Sequence, residues 1–260
     1  MTKIKNELLK NRIILDEYIE QFVLKDFRNP DLDVNITLLY FEGKAMLIDT
    51  GYLFQAEVIA DFLLEREIEV TEVLLTHYHP DHSAGISVFN PNKIYASEHY
   101  QDNFKRCSEE WDPKTHYVKP THLLKDQETL FFGPHMLKIM DSKSHSIDSI
   151  MIEINDQYLL VGDLIMRDIE HTTTYPYISI DGDIQGYLHS LNLVQERSQH
   201  ILLLSHGMPI SDQSLFKTVV DDYLLYFKSL EAFKADREKN IPQFDWSFER
   251  WHNSNLRFLL

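Results

Sequence analysis

Cysteine and linker-forming residues are scarce in this chain of 260 residues. The single cysteine, Cys107, excludes an intramolecular disulfide and a cysteine-based zinc finger. The few glycines and prolines form no linker that would divide the chain into separate halves. Because internal repeats and low-complexity tracts are also missing, one main folded unit is the simplest organisation.

Long apolar runs and positive charge are lacking too. No run approaches the roughly 20 apolar residues that a membrane-spanning helix needs, and residues 1–9 hold no apolar signal core. We therefore expect a cytoplasmic protein without a membrane partner. The 25 Lys and Arg against 41 Asp and Glu give a net charge of −16, which would repel a nucleic-acid backbone. A small-molecule substrate is the expected partner, and a homodimer through the C-terminal helices is a hypothesis.

Apolar runs separated by turn residues predict a mixed α/β domain. Residues 33–40 and 44–49 flank Glu42-Gly43, as the two strands of a β-hairpin do. Residues 54–67 have apolar side chains near helical spacing and precede a short apolar strand at 72–76. Further strands are predicted at 136–140, 149–154, 158–161 and 200–204.

The two ends of the chain are less regular. Residues 11–25 fit either a helix or a strand. Residues 211–239 predict one long helix, and the aromatic-rich tail 244–260 predicts a second, with its aromatic side chains packed as a lid or core. We predict a main domain at 1–210 and a helical extension at 211–260 packed on it.

The densest chemical signal is the segment THYHPDHSAG at residues 76–85, directly after a predicted strand. It places three imidazoles and one carboxylate within six consecutive positions. Neutral imidazole nitrogens and carboxylate oxygens are the ligands that zinc and similar metals accept. His77 and His79 can reach one ion together, and the proline turn after them directs Asp81 and His82 toward a second.

This segment resembles the H-x-H-x-D-H signature of the metallo-β-lactamase superfamily. The other family positions have counterparts in the same order: Asp49 in LIDTG, His145 in SHS, Asp163 in LVGD and His206 in LSHG. The resemblance spans roughly residues 35–207. It implies a four-layer αββα sandwich, followed here by C-terminal helices, with a metal site at one edge.

The resemblance also implies a binuclear centre and its chemistry. Two divalent ions are expected, with Zn²⁺ as the first choice and Mn²⁺ or Fe as alternatives. A hydroxide bridging them would attack an activated acyl carbonyl. The ligands implied are His77, His79 and His145 for one ion, Asp81, His82 and His206 for the other, and Asp163 between them.

Two carboxylates have catalytic assignments by the same resemblance. Asp49 would orient a ligand imidazole from outside the metal shell, and Asp81 would help to manage a proton besides binding metal. Residues 166–183, which follow Asp163, are the predicted wall of the substrate site.

Within the superfamily the chain is most similar to glyoxalase II-like thioesterases and lactonases. It lacks the cysteine ligand typical of zinc β-lactamases, and His79 is intact where flavodiiron proteins have Glu. The resemblance therefore implies a hydrolase of thioesters, lactones or similar small molecules. Two alternatives stay open, which are a persulfide dioxygenase with one iron and a non-catalytic binding protein.

Overall fold

The computed structural model describes residues 7–259 and contains two β-sheets. The first sheet has seven strands in chain order, antiparallel from β1 to β4 and parallel from β4 to β7. Residues 11–25, whose pattern was ambiguous, lie in its first two strands. The strands are β1 (Leu9–Ile14), β2 (Ile19–Lys25), β3 (Asp33–Phe41), β4 (Lys44–Ile48), β5 (Glu69–Leu74), β6 (Lys93–Ser97) and β7 (His122–Leu124).

The second sheet has five strands in the order β12-β11-β10-β9-β8. Asn155 and Asp156 join β10 to β11 with φ angles of 55° and 52°, which is the left-handed geometry of a tight hairpin turn. Its strands are β8 (Thr129–Phe132), β9 (His135–Asp141), β10 (Ile150–Ile154), β11 (Tyr158–Leu160) and β12 (Ile201–Leu203).

Helices cover the outer face of each sheet. The long helix predicted from residue 211 begins after Asp212, whose carboxylate accepts a hydrogen bond from Leu215 N at 2.8 Å. Within residues 7–259, none of the helices combines the length and apolarity that crossing a membrane requires. They are α1 (Leu53–Glu65), α2 (Pro80–Ser83), α3 (Ile86–Phe89), α4 (Gln101–Arg106), α5 (Ile184–Glu196), α6 (Gln213–Ala235) and α7 (Glu249–Asn255), with a π-helical turn at Cys107–Trp111 and a 3₁₀ turn at Leu256–Leu259.

Three apolar layers hold these elements together. On β4, Ala45 and Leu47 pack toward α1, whereas Met46 and Ile48 pack between the sheets, because successive side chains of a strand point to opposite faces. The far face of the second sheet, including Met151, is covered by α5 and α6. The predicted αββα sandwich is therefore confirmed, and the boundary at residue 210 stays a prediction.

The C-terminal tail corrects the helix predicted over residues 244–260. Ser247 forms a β-bridge with Thr174, so this part of the tail is extended. Phe248 follows with a φ of 62°, a left-handed conformation that a helix interior does not accept. Only Glu249–Asn255 of this tail is α-helical, because pairing with the loop after β11 overrides the helical spacing. Residue 260 lies outside the described residues.

Candidate metal centre

The predicted site residues all follow the carboxyl ends of strands. Asp49 comes after β4, the segment 77–82 after β5, His145 after β9, Asp163 after β11 and His206 after β12. Those strand ends meet at one edge of the sandwich. The fold thus brings together side chains that lie more than 150 residues apart in the sequence.

A glycine permits the close approach of two of these loops. Gly85 N donates a hydrogen bond to Gly51 O at 2.9 Å. A Cβ at position 85 would lie 2.5 Å from Thr50 O, closer than atoms can approach. Only glycine lets the loop after β5 lie directly against the loop after β4, which keeps Asp49 beside His82.

Asp163 lies at the centre of the cluster. Its Oδ2 faces His145 Nε2 at 3.5 Å and His77 Nε2 at 3.9 Å. Its Oδ1 faces His82 Nε2 and His206 Nε2, each at 3.4 Å. The two oxygens of one buried carboxylate therefore point at two different groups of imidazoles.

The first group consists of His77, His79, His145 and Asp163. All four side chains are buried, and one donor atom from each lies within 4.8 Å of the others. His79 Nδ1 is 3.0 Å from His145 Nε2. This spacing allows four donors to converge on one ion.

The second group consists of Asp81, His82 and His206, with donor atoms again within 4.8 Å of one another. Asp81 Oδ2 is 3.5 Å from His206 Nε2, and Asp81 Oδ1 is 3.7 Å from His82 Nε2. The Asp81 side chain is 21% exposed, against 6% for Asp163. Asp81 is thus the donor at the solvent side of the cluster.

Unpaired buried atoms show that this donor set fits a metal. His77 Nε2, His82 Nε2 and Asp163 Oδ1 are buried, and among residues 7–259 none of them has a hydrogen-bond partner. An unsatisfied buried polar atom costs roughly 1–3 kcal/mol, so native proteins rarely keep several together. A divalent cation would accept these lone pairs, and nitrogen and oxygen donors suit first-row transition metals.

Asp49 supports the second group from behind. Its Oδ2 accepts a hydrogen bond from His82 Nδ1 at 2.8 Å, which leaves His82 Nε2 free to face Asp163. Thr76 holds the carboxylate in place by donating from its backbone N and from Oγ1, both at 2.8 Å. The orienting role of Asp49 stays a prediction, and these contacts support it.

Backbone carbonyls orient two further imidazoles. His145 Nδ1 donates to Tyr177 O at 2.7 Å, and His206 Nδ1 donates to Asp33 O at 2.6 Å. Because Nδ1 is held by a carbonyl, Nε2 is the nitrogen that faces the cluster and would bind a metal. These carbonyls leave no signal in the sequence, since any residue type could supply one.

Electrostatics divides the imidazoles into two sets. Burial lowers the pKa of His77, His79 and His145, so these rings are neutral and ready to bind metal. Burial also acts to lower the pKa of His206, but the Asp163 carboxylate outweighs it and raises that pKa to about 9. The pKa of His82 is raised in the same way. Metal binding there would displace protons.

Asp148 is a buried residue that the sequence reasoning missed. Its Oδ2 accepts from Tyr78 N at 2.9 Å, while Oδ1 accepts from Asn103 Nδ2 at 2.6 Å and Ser146 Oγ at 2.8 Å. Burial raises the pKa of Asp148 to about 6. The side chain ties the loops after β5 and β9 to α4.

A cavity of about 340 Å³ opens onto the cluster. The predicted wall 166–183 supplies three of its residues, Met166, Tyr177 and Ser179. Trp251, one of the tail aromatics predicted to pack as a lid or core, lines the cavity, whereas Trp246 stacks on Phe244 at 4.2 Å against the core. The other walls are formed by Asn29, Leu32, Pro80 and Trp111, above a floor of His79, Asp81, His145, Asp163 and His206.

The sandwich and its buried His and Asp cluster define a metal-binding protein. The chain matches the family model described as the metallo-beta-lactamase superfamily over residues 29–206, and it belongs to that superfamily. The Drosophila melanogaster protein named beta-lactamase-like protein 2 homolog is 26% identical over 233 residues, which cover 86% of this chain and 70% of that protein.

Two relatives have names that state an activity. A hydroxyacylglutathione hydrolase of Francisella philomiragia is 24% identical over 168 residues, covering 58% of this chain and 60% of that enzyme. An atrochrysone carboxyl ACP thioesterase of Pseudocercospora fijiensis is 24% identical over 157 residues, covering 60% of this chain and 41% of that enzyme. The chain thus spans less than two thirds of the length of both enzymes.

Solved structures show the same fold. A metallo-beta-lactamase family protein from Thermus thermophilus has a TM-score of 0.70 at 19% identity, covering 85% of this chain and 83% of that one. A metallo-beta-lactamase from Pontibacter korlensis has a TM-score of 0.64 at 17% identity, covering 81% and 97%. At this identity the likeness establishes architecture alone.

Proposed function

We propose that the chain is a metal-dependent hydrolase that cleaves an activated acyl compound, a thioester, lactone or similar small molecule. The main support for this proposal is Asp163, because its two oxygens face two groups of imidazoles and so suit a pair of ions. The names of the hydroxyacylglutathione hydrolase and the thioesterase support a hydrolytic reaction at an acyl carbon.

Each proposed ion has its own set of donor residues. Zn²⁺ is the proposed metal, with Mn²⁺ and Fe as alternatives. Bound divalent ions lower the pKa of water and polarise a carbonyl oxygen. His77, His79 and His145 would hold one ion, Asp81, His82 and His206 the other, and Asp163 would contact both.

The chain's own residues prepare the reaction in three ways. Asp49 and the carbonyls of Asp33 and Tyr177 fix the direction of three imidazoles before substrate binds. Burial of Asp163 and its histidine neighbours leaves their donor atoms surrounded mostly by protein rather than by bulk water. Asp81, whose side chain is more exposed than that of Asp163, is placed to exchange a proton with water in the cavity.

Chelation and reconstitution test this function. Protein purified without chelator is assayed on a panel of neutral thioesters and lactones, then stripped of metal, and then supplied with Zn²⁺ or Mn²⁺. We expect turnover that disappears on stripping and returns with metal. Absence of hydrolysis by metal-loaded protein would overturn the proposal, and oxygen consumption by an iron-loaded preparation would indicate a persulfide dioxygenase.

A further inference from the structure

We infer that the cavity selects an uncharged substrate with an apolar or aromatic acyl group, and that Trp111 and Trp251 determine this selectivity. The inference rests on the proposed hydrolase function. A cavity of about 340 Å³ suits a small molecule, since ligand sites commonly hold roughly 300–1,000 Å³.

Three aromatic side chains form walls beside the first metal group. The Trp111 ring lies edge-on to the His79 ring at 5.1 Å and is 42% exposed. The Tyr177 ring is 5.6 Å from the His145 ring and 5.7 Å from the Trp251 ring. Binding is stabilised when an apolar group of the substrate covers aromatic surface that is otherwise exposed to water.

Other contacts brace these walls. Trp111 ends the π-helical turn, and such turns occur often at functional sites. Arg106, just before that turn, forms a 2.7 Å ion pair with Asp181, which joins it to the loop that carries Tyr177. Phe248 stacks on Trp251 at 4.3 Å. The walls are therefore built before substrate arrives, which reduces the entropy lost on binding.

Lysine and arginine are missing from this lining. In the described chain, residues 7–259, none of the cavity-lining residues is Lys or Arg. Two arginines near the lining already have carboxylate partners. Arg28, beside the lining residue Asn29, lies 3.3 Å from Asp112, and Arg106 pairs with Asp181. Away from the metal-binding floor, a substrate carboxylate would meet no Lys or Arg side chain of the lining to offset its desolvation.

The neighbouring depression is acidic. Asp31, Asp168, Glu170 and Glu249 line it, against the single guanidinium of Arg250. The two are neighbours along the chain. Asp31 precedes Leu32 and Arg250 precedes Trp251, and both Leu32 and Trp251 line the cavity. Like charges facing each other cost several kcal/mol at an interface, so this depression would disfavour an anionic group that extends toward it.

Matched thioesters test the charge selectivity. The phenylacetyl thioester of N-acetylcysteamine is uncharged, whereas the phenylacetyl thioester of glutathione has two carboxylates and the same acyl group. We expect kcat/KM to be at least about tenfold higher for the uncharged ester. An equal or higher value for the glutathione ester would overturn the inference while leaving the hydrolase intact.

Tryptophan variants test the walls with the neutral ester. Trp111→Ala and Trp251→Ala should each raise KM for the phenylacetyl ester at least about fivefold, the loss of one buried aromatic contact. The KM for the acetyl ester and the metal content should change little, and Trp251→Phe should restore most of the selectivity. Phe131→Ala, at a 71% exposed position on β8, is the matched control.

Each failure has a separate meaning. If metal-loaded wild-type protein hydrolyses none of the esters, both the function and its selectivity are wrong. If hydrolysis is normal but the alanine variants keep the preference for phenylacetyl over acetyl, only the role of the tryptophans is overturned. Unchanged metal content and circular dichroism in each variant exclude loss of fold as the cause.

Discussion

The floor of the site and its walls are built differently. The floor uses buried donors on strand-end loops, oriented by hydrogen bonds such as that from His82 to Asp49. The walls are aromatic side chains from three separate segments, among them the partly exposed Trp111. A rigid floor is suited to one kind of chemistry, whereas walls from distant loops can change the substrate without changing the reaction.

The largest expected effect comes from breaking the floor at its centre. Asp163→Asn removes the charge that both imidazole groups face. Loss of a residue that only supports a ligand lowers metal affinity or activity roughly 10–100-fold, so activity and bound metal should fall by more than about 100-fold here. Activity assays and elemental analysis measure both. Asp156→Asn is the matched control, because its exposed turn has a φ of 52° that Asn tolerates. Full metal content in Asp163→Asn would contradict the shared carboxylate.

A smaller effect should separate the two halves of the floor. Asp49→Asn would turn an amide toward His82 Nδ1, whose hydrogen bond to the carboxylate is 2.8 Å long. We expect two metal-binding steps. The step at the group that contains His82 should weaken by about 10–100-fold, whereas the step at His77, His79 and His145 should be unchanged. Titration against a competing chelator resolves the steps. Equal weakening of both would show that the groups are not independent.

Loosening the walls should leave the floor intact. Arg106→Gln breaks the ion pair with Asp181, and the partly buried carboxylate left behind should lower the free energy of unfolding by about 1–3 kcal/mol. KM should rise while metal content stays constant. Lys105→Ala, at the neighbouring exposed position, is the control. Loss of metal from Arg106→Gln would contradict the separation of walls from floor.

The most gradual expected effect is a pH dependence at Asp148, which joins floor to wall. The pKa of Asp148 is about 6 in the folded chain, against 3.8 for an ordinary Asp. The folded state therefore binds more protons between these values, so the Asp148 contribution to the free energy of unfolding falls as pH rises from about 4 to about 6, by at most about 1.4 kcal/mol per pH unit.

Denaturant unfolding of wild type and Asp148→Asn across that range measures this contribution. The variant loses hydrogen bonds from Tyr78 and Asn103, which shifts its whole curve. The difference between the two curves should shrink or change sign as pH rises from about 4 to about 6. A constant difference would mean that Asp148 has an ordinary pKa.

Local signals made most of the fold predictable. The turns at Glu42-Gly43 and Asn155-Asp156 mark two hairpins because both use left-handed φ angles that few residues tolerate. The family and the αββα sandwich followed from motifs in a fixed order, and both are confirmed. The seven ligand assignments remain predictions, although the structure brings all seven side chains together.

Tertiary contacts decided what the sequence could not. The tail was predicted as helix because its aromatic spacing allows one, yet Ser247 pairs with Thr174 instead. Trp111 carried no signal because its position depends on a π-helical turn. Cys107, the first residue of that turn, is anchored by a 2.7 Å hydrogen bond to Tyr78 O.

Metal stoichiometry tests the central claim most directly. Protein loaded with Zn²⁺, freed of excess ion and measured by elemental analysis should contain close to two ions per chain, one for each side of Asp163. His82→Ala should then retain about one, because the first group of donors is complete without it. A single tightly bound ion in the wild type, or none, would contradict the binuclear centre.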